Sequence, residues 1–189
     1  RNTYDKNGNP ATKTDAMGNV TTYSYDSTGN MLTMTDAEGH TVTNEYNSKG
    51  QLTSIDAMGI TAMTVAYDSK GNTTSTTDAM GNSIDYSYDT KGRLTSVADE
   101  IGSYMNMTYD SNGNVISATN GAGTTAQFTY DADGNCTAKT LTYTSDGAQK
   151  TVTEQYFYDN SGNLVKIIDS DGNVTTTEYN SMGKVSSAT

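Results

Sequence analysis

The sequence predicts an all-β fold of tandem antiparallel β-hairpins with a 21-residue period, forming a curled or spiralling continuous sheet. Three observations predict it. Tyr followed by Asp or Asn recurs along the whole chain, with Gly four residues after each Tyr. A second Asp-x-x-Gly-like box follows about eleven residues after each Tyr. The segments between the boxes alternate apolar and polar side chains, the period of a half-buried strand.

The recurrence comes first, because a strict internal period implies a repeat architecture. Its tyrosines are Tyr4, Tyr25, Tyr46, Tyr67, Tyr88, Tyr109, Tyr130, Tyr158 and Tyr179, and its glycines are Gly8, Gly29, Gly50, Gly71, Gly92, Gly113, Gly134, Gly162 and Gly183. The spacing is 21 throughout, except for 28 between Tyr130 and Tyr158, an insertion of 7 near residues 141–150. The domain expectation is a single array of nine units over 1–189, part of a larger protein.

The turns follow from the boxes. Asp at the first and Gly at the fourth position suit a type I turn, and a type I turn followed by a left-handed residue closes a three-residue hairpin loop. Asp-Ala-Met-Gly at 15–18 and 78–81 illustrates the second box; Asp56-Ala-Met-Gly59 begins one residue early, and Asp146-Gly147 stands in for it in the long repeat. Only Gly121 of the 18 glycines lies outside a box position.

The strands lie between the boxes. They are rich in Thr, Val and Tyr, and Pro10 is the chain's one proline, as strands require. Tyr23/Tyr25, Met63/Val65/Tyr67 and Phe128/Tyr130 share one face; Thr22/Ser24, Thr43/Glu45 and Gln127/Thr129 share the other. The outgoing strands are apolar six and nine residues past the Tyr, a spacing of the wrong parity for one face. An odd period with identical turns would also flip alternate tyrosines. One β-bulge per repeat between those positions removes both conflicts and keeps all nine tyrosines on one side. The Tyr face is expected to be concave or covered by another layer.

Composition limits the function. Leu, Ile, Val and Phe make up only about 12% of the chain, a fraction that alone would predict disorder; the ordering of the residues overrides it. A formal charge of -11 argues against nucleic-acid or anionic-membrane binding. No apolar stretch is long enough for a spanning helix. Single Cys136 and His40 leave no disulfide framework, multi-cysteine metal site or His pair. No catalytic, cofactor-binding or metal site is expected, and no cofactor.

Units such as Tyr25-Asp-Ser-Thr-Gly-Asn30 and Tyr109-Asp-Ser-Asn-Gly-Asn114 closely resemble the YD repeats of the Rhs family, over essentially the whole chain. Such repeats occur in Rhs and wall-associated polymorphic toxins, in the B and C components of Tc insecticidal toxins, and in teneurins. The resemblance implies a β-sheet that spirals into a hollow shell, around a C-terminal cargo domain in the toxins. It also implies a secreted or cell-surface bacterial protein whose partners are other domains of its parent, with self-association through sheet edges a further expectation. The family's Asp-Pro-containing self-cleavage segment and a toxin domain are not found, so shell closure, autoproteolysis and toxicity are not carried over, only the repeat residues and the scaffold role. The alternative is an adhesion module whose hydroxyl- and amide-rich face or turn edge binds a glycan or a cell-surface partner.

The remaining candidates read as structure. Asp131-Ala-Asp133 and Asp169-Ser-Asp171 resemble the start of a calcium loop but lack its twelfth-position Glu, so turn chemistry is the preferred reading. Cys136 reads as a small buried apolar residue, His40 as an exposed post-turn residue. Met17, Met58, Met80, Ile101 and Met182, at the third position of turn boxes, are expected to pack on a neighbouring turn or layer, with a sticky partner edge as the alternative. Tyr143, Asp146 and Lys150 in the insertion form no triad. The sequons at Asn19, Asn72, Asn106, Asn135 and Asn173 are expected by chance.

Overall fold

The computed structural model describes residues 1–189, the side chain of Ser103 excepted. Its regular structure is all strand, and the chain divides into two compact units, Arg1–Ser87 and Tyr88–Thr189. In the first unit β1 (Asn2–Tyr4), β2 (Pro10–Thr14), β3 (Val20–Tyr25), β4 (Met31–Thr35), β5 (Thr41–Tyr46), β6 (Leu52–Ala57), β7 (Ile60–Tyr67), β8 (Thr73–Asp78) and β9 (Ser83–Tyr88) each pair antiparallel with the next. In the second, the same meander runs through β10 (Leu94–Asp99), β11 (Ser103–Tyr109), β12 (Val115–Asn120), β13 (Thr125–Tyr130), β14 (Cys136–Ser145), β15 (Ala148–Tyr158), β16 (Leu164–Ile168), β17 (Val174–Tyr179) and β18 (Val185–Ala188).

The expected bulge is present and can be placed on one residue. Tyr25 pairs with Met31 but Ser24 pairs with Thr33, which leaves Leu32 as the extra residue. The same shift, seven residues past the Tyr, recurs at Ala11, Thr53, Thr74, Ile116, Thr137, Val165 and Ser186. It moves Met34 opposite Tyr23, onto the Tyr face. In the first unit the register therefore places Tyr4, Tyr25, Tyr46, Tyr67 and, through β9, Tyr88 on one face. In the second it does the same for Tyr109, Tyr130, Tyr158 and Tyr179.

The opposite face is a ladder of hydroxyls. Thr3 and Thr12, Ser24 and Thr33, Thr35 and Thr41, and Thr77 and Ser83 share cross-strand hydrogen bonds of 2.6–2.9 Å in the first unit. Thr119 and Thr125, and Thr140 and Thr153, do so in the second. Such pairs stabilise a sheet locally without needing a covered face.

Three expectations change. No apolar side chain is fully buried among the described residues; Asn44 is the one buried residue, 8% exposed. Cys136, expected to be buried, is only partly so, and within each unit the Tyr face is half-buried, shielded by neighbouring rings and strands. The second turns are not uniform. Asp56-Ala-Met-Gly59 closes as a two-residue turn, with Ala57 opposite Ile60 and a bulge at Ala62. The residues at 99–102 close a four-residue loop with a bulge at Tyr104. Finally, Met17, Met58, Met80, Ile101 and Met182 do not pack: they are 66–95% exposed. A tight turn projects its third residue away from the sheet, and the neighbouring tip is two strands away.

The 7-residue insertion lengthens the hairpin and not its loop. β14 and β15 run 10 and 11 residues and meet in a two-residue Asp146-Gly147 turn, with Ser145 opposite Ala148. Asp-Gly is the favoured chemistry of that turn, whose central residues both need positive φ.

Candidate structural site

Seven of the nine first turns are built around one carboxylate; Asn47 and Asn180 take its place in the other two. Asp26 Oδ1 accepts the backbone N–H of Thr28 and Asn30, and Oδ2 accepts the Asn30 side-chain amide at 2.9 Å. Gly29 N donates to Asp26 O and Asp26 N donates to Asn30 O, closing the loop. Gly29 has φ +93°, a conformation in which any side chain is strained. The Thr28 hydroxyl, the Asn30 amide and the two backbone donors hold the Asp26 carboxyl down at about 2. The same bonding recurs at the second turns, where Asn19 and Asn82 bond Asp15 and Asp78.

These networks account for the calcium-like motifs. Asp131 Oδ1 accepts from Asp133 and Asn135, and its Oδ2 from the Asn135 amide; Asp169 does the same with Asp171 and Asn173. The first carboxylate of each motif is thus engaged by its own turn. His40 replaces the turn Asn, its Nδ1 lying 2.8 Å from Asp36 Oδ2. Burial pushes the Cys136 thiol up, away from the thiolate that a nucleophile needs. Lys150 Nζ lies 3.6 Å from Asp146 and 3.3 Å from Ser145 Oγ, all within the insertion's exposed turn.

Six of the repeat tyrosines join their unit to the one before. Tyr46 Oη donates to Met31 O at 2.9 Å and Tyr67 Oη to Leu52 O at 2.7 Å. Tyr109, Tyr130, Tyr158 and Tyr179 donate likewise to the carbonyls of Leu94, Val115, Cys136 and Leu164. Five of the six acceptors, all but Leu94, are shown to be the residue immediately before a bulge. The bulge interrupts the ladder there, and the hydroxyl of the next repeat supplies a bond. The choice of Tyr over Phe at the recurring position was the available signal, since a ring set against a sheet needs a partner for its hydroxyl. Asn44 carried no such signal: it lies on the Tyr face and donates to the same Met31 carbonyl at 3.0 Å.

A further set of contacts ties successive first turns together. Where Gln51 replaces the turn Asn, its Nε2 donates to Gly71 O at 2.9 Å, and Lys49 Nζ donates to Ser69 O at 2.7 Å. Arg93 spans more: Nε meets Asp89 at 2.6 Å, a terminal nitrogen donates to Asp110 O, and its guanidinium lies 4.5 Å over the Tyr109 ring. The arrangement can join repeats and resist their separation. Among the described residues no group of His, Cys, Asp and Glu is placed to hold a metal ion.

The family model described as Teneurin YD-shell matches residues 17–138, and that for the RHS Repeat matches residues 158–189. Among solved structures, TcdB2-TccC3-TEV is 17% identical with a TM-score of 0.76, over 99% of this chain and 11% of that one. TcdB2-TccC3 is 19% identical with a TM-score of 0.69, over 94% and 12%. The Photorhabdus luminescens Tc holotoxin pore is 18% identical with a TM-score of 0.62, over 90% and 12%. No curated protein sequence matches. The chain thus spans about a tenth of the length of the solved chains it resembles, and at these identities the likeness is one of fold.

Proposed function

We propose that this chain, which belongs to the Teneurin YD-shell family, is a non-enzymatic stretch of wall in a larger secreted or surface-displayed bacterial protein. In this reading the nine units over residues 1–189 act as one array, whose partners are other domains of the parent, a C-terminal cargo among them. The single observation that carries it is the recurring bond from six of the nine repeat tyrosines to a backbone carbonyl of the preceding repeat. That bond is a device for extending a sheet by one unit at a time, as solenoid-like repeats require. The turn carboxylates support the same reading, because each is engaged by its own loop. The adhesion alternative has no comparable observation in its favour.

The test uses the full-length parent with a protease-sensitive domain at its C-terminal end. A wall protects that domain from added protease, and Tyr46→Ala with Tyr67→Ala exposes it. Equal digestion with and without those substitutions, in a protein that remains folded, overturns the proposal.

A further inference from the structure

We infer that the open edge of β15, from Ala148 to Glu154, is a strand-docking site filled by an extended, basic segment of the parent protein. The inference rests on the reading of this chain as part of a larger protein. These residues of β15 are paired on one side only. They face β14, from Ala148 opposite Ser145 to Glu154 opposite Lys139, whereas β16 first pairs at Gln155. No register shift interrupts the ladder with β14, so the two-residue turn fixes where each peptide group points. Ser145 and Ala148 flank that turn and exchange both bonds, and the even-numbered residues that follow also bond to β14. The N–H and C=O of Gln149, Thr151 and Thr153 therefore point out of the open side.

Proteins blunt such an edge with proline, a bulge or a charged side chain. Residues 148–154 hold no proline and no bulge. Their one lysine, Lys150, is drawn back towards Asp146 and Ser145. The edge is thus left open where the insertion lengthens the hairpin.

Its chemistry names the occupant. Outward groups recurring every two residues, roughly 6.8 Å apart, match another extended backbone. A following repeat does not supply it, because the meander continues from β18, beyond β16 and β17. Ile168 lies opposite Gln155, so the turn after Ile168 stands at the Glu154 end of the gap. That turn adds Asp169 and exposed Asp171 to Glu154, with Lys150 the one cation among residues 148–154 and 169–173. A segment with a β-branched residue opposite half-buried Val152 and Lys or Arg towards Asp171 satisfies both. The parent is the source because a tethered segment meets the edge at an effective concentration on the order of millimolar.

The experiment is hydrogen exchange of the full-length parent, read residue by residue by mass spectrometry with electron-transfer fragmentation. The amides of Lys150, Val152 and Glu154 bond to β14 and report that the hairpin is folded. Those of Gln149, Thr151 and Thr153 are expected to exchange about a hundredfold more slowly than free amides, at every protein concentration. Thr151→Pro removes one outward N–H and spares the β14 ladder, so exchange at Gln149 and Thr153 rises towards the free rate. Asp171→Lys speeds exchange at the same amides several-fold; Lys49, Lys70 and Lys91 already hold the equivalent turn position, so the turn accepts it. Free exchange at all three outward amides in a folded hairpin overturns the inference. So does protection that grows with protein concentration, which assigns the segment to another molecule. The result is separable from the cargo-protection test, because a wall with an empty β15 edge still shields its cargo.

Discussion

Tyr46 donates its phenolic hydroxyl to the backbone carbonyl of Met31, fifteen residues earlier and in the preceding repeat. Met31 immediately precedes the bulged Leu32, and Asn44 donates to the same oxygen. Tyr46→Phe therefore removes one bond from a half-buried acceptor and keeps the ring. The expected loss is about 1 kcal/mol in urea unfolding, while Tyr4→Phe, at a ring 61% exposed, changes the midpoint little.

Gly29 illustrates a different cost. A Cβ there would meet only Asn9 Oδ1, at 3.8 Å, so space is not the limit; the φ of +93° is. Gly29→Ala is expected to cost about 1–2 kcal/mol, and Gly29→Asn less than Gly29→Val, since Asn tolerates the left-handed region and β-branched residues do not. Equal losses for Asn and Val would contradict this account.

Met58 sits at φ 53° in a two-residue turn with Gly59 at φ 79°. That turn prefers Asn-Gly or Gly-Gly. Met58→Asn and Met58→Gly should therefore raise stability by about 0.5–1 kcal/mol, which thermal unfolding would reveal. A loss of stability would show that Met58 makes a compensating contact.

Acid should weaken the array in a defined window. The Asp26 carboxyl is held at about 2 by the Thr28 hydroxyl, the Asn30 amide and backbone donors, below the free value near 3.9. Because the folded state prefers the ionised form, its contribution is complete above the free value and is lost as pH falls towards 2. Asp15, Asp131, Asp159 and Asp169 shift in the same direction, chiefly through their Asn partners. Unfolding midpoints should fall between about pH 4 and pH 2, and Asp26→Asn should reduce that slope. Asn47, whose Oδ1 accepts from Lys49 N and Gln51 N, shows that Asn can form the turn.

Arg93 joins two repeats through Asp89, the Asp110 carbonyl and the Tyr109 ring. Arg93→Lys keeps the charge but loses the planar fork and the stacking. Loss of the ring contact alone is expected to cost about 0.5–1 kcal/mol. Arg93→Asn, which restores the residue most turns carry here, should rank above Arg93→Ala in denaturant titration.

The sequence by itself determined the strands, the turns and the handing-on of one Tyr face, because glycine and aspartate act within five residues and parity is arithmetic along a strand. The bulge followed from that arithmetic, though Leu32 as its site did not. Tertiary structure alone decided where Tyr46 sends its hydroxyl, that Asn44 is buried, and that Met17 and Met80 stand in solvent. Those outcomes depend on distances between residues of neighbouring repeats, which local propensity does not encode. The early turn at Asp56 shows the boundary between the two. Its shifted glycine was visible, but its two-residue closure and compensating bulge at Ala62 come from the paired register of β6 and β7.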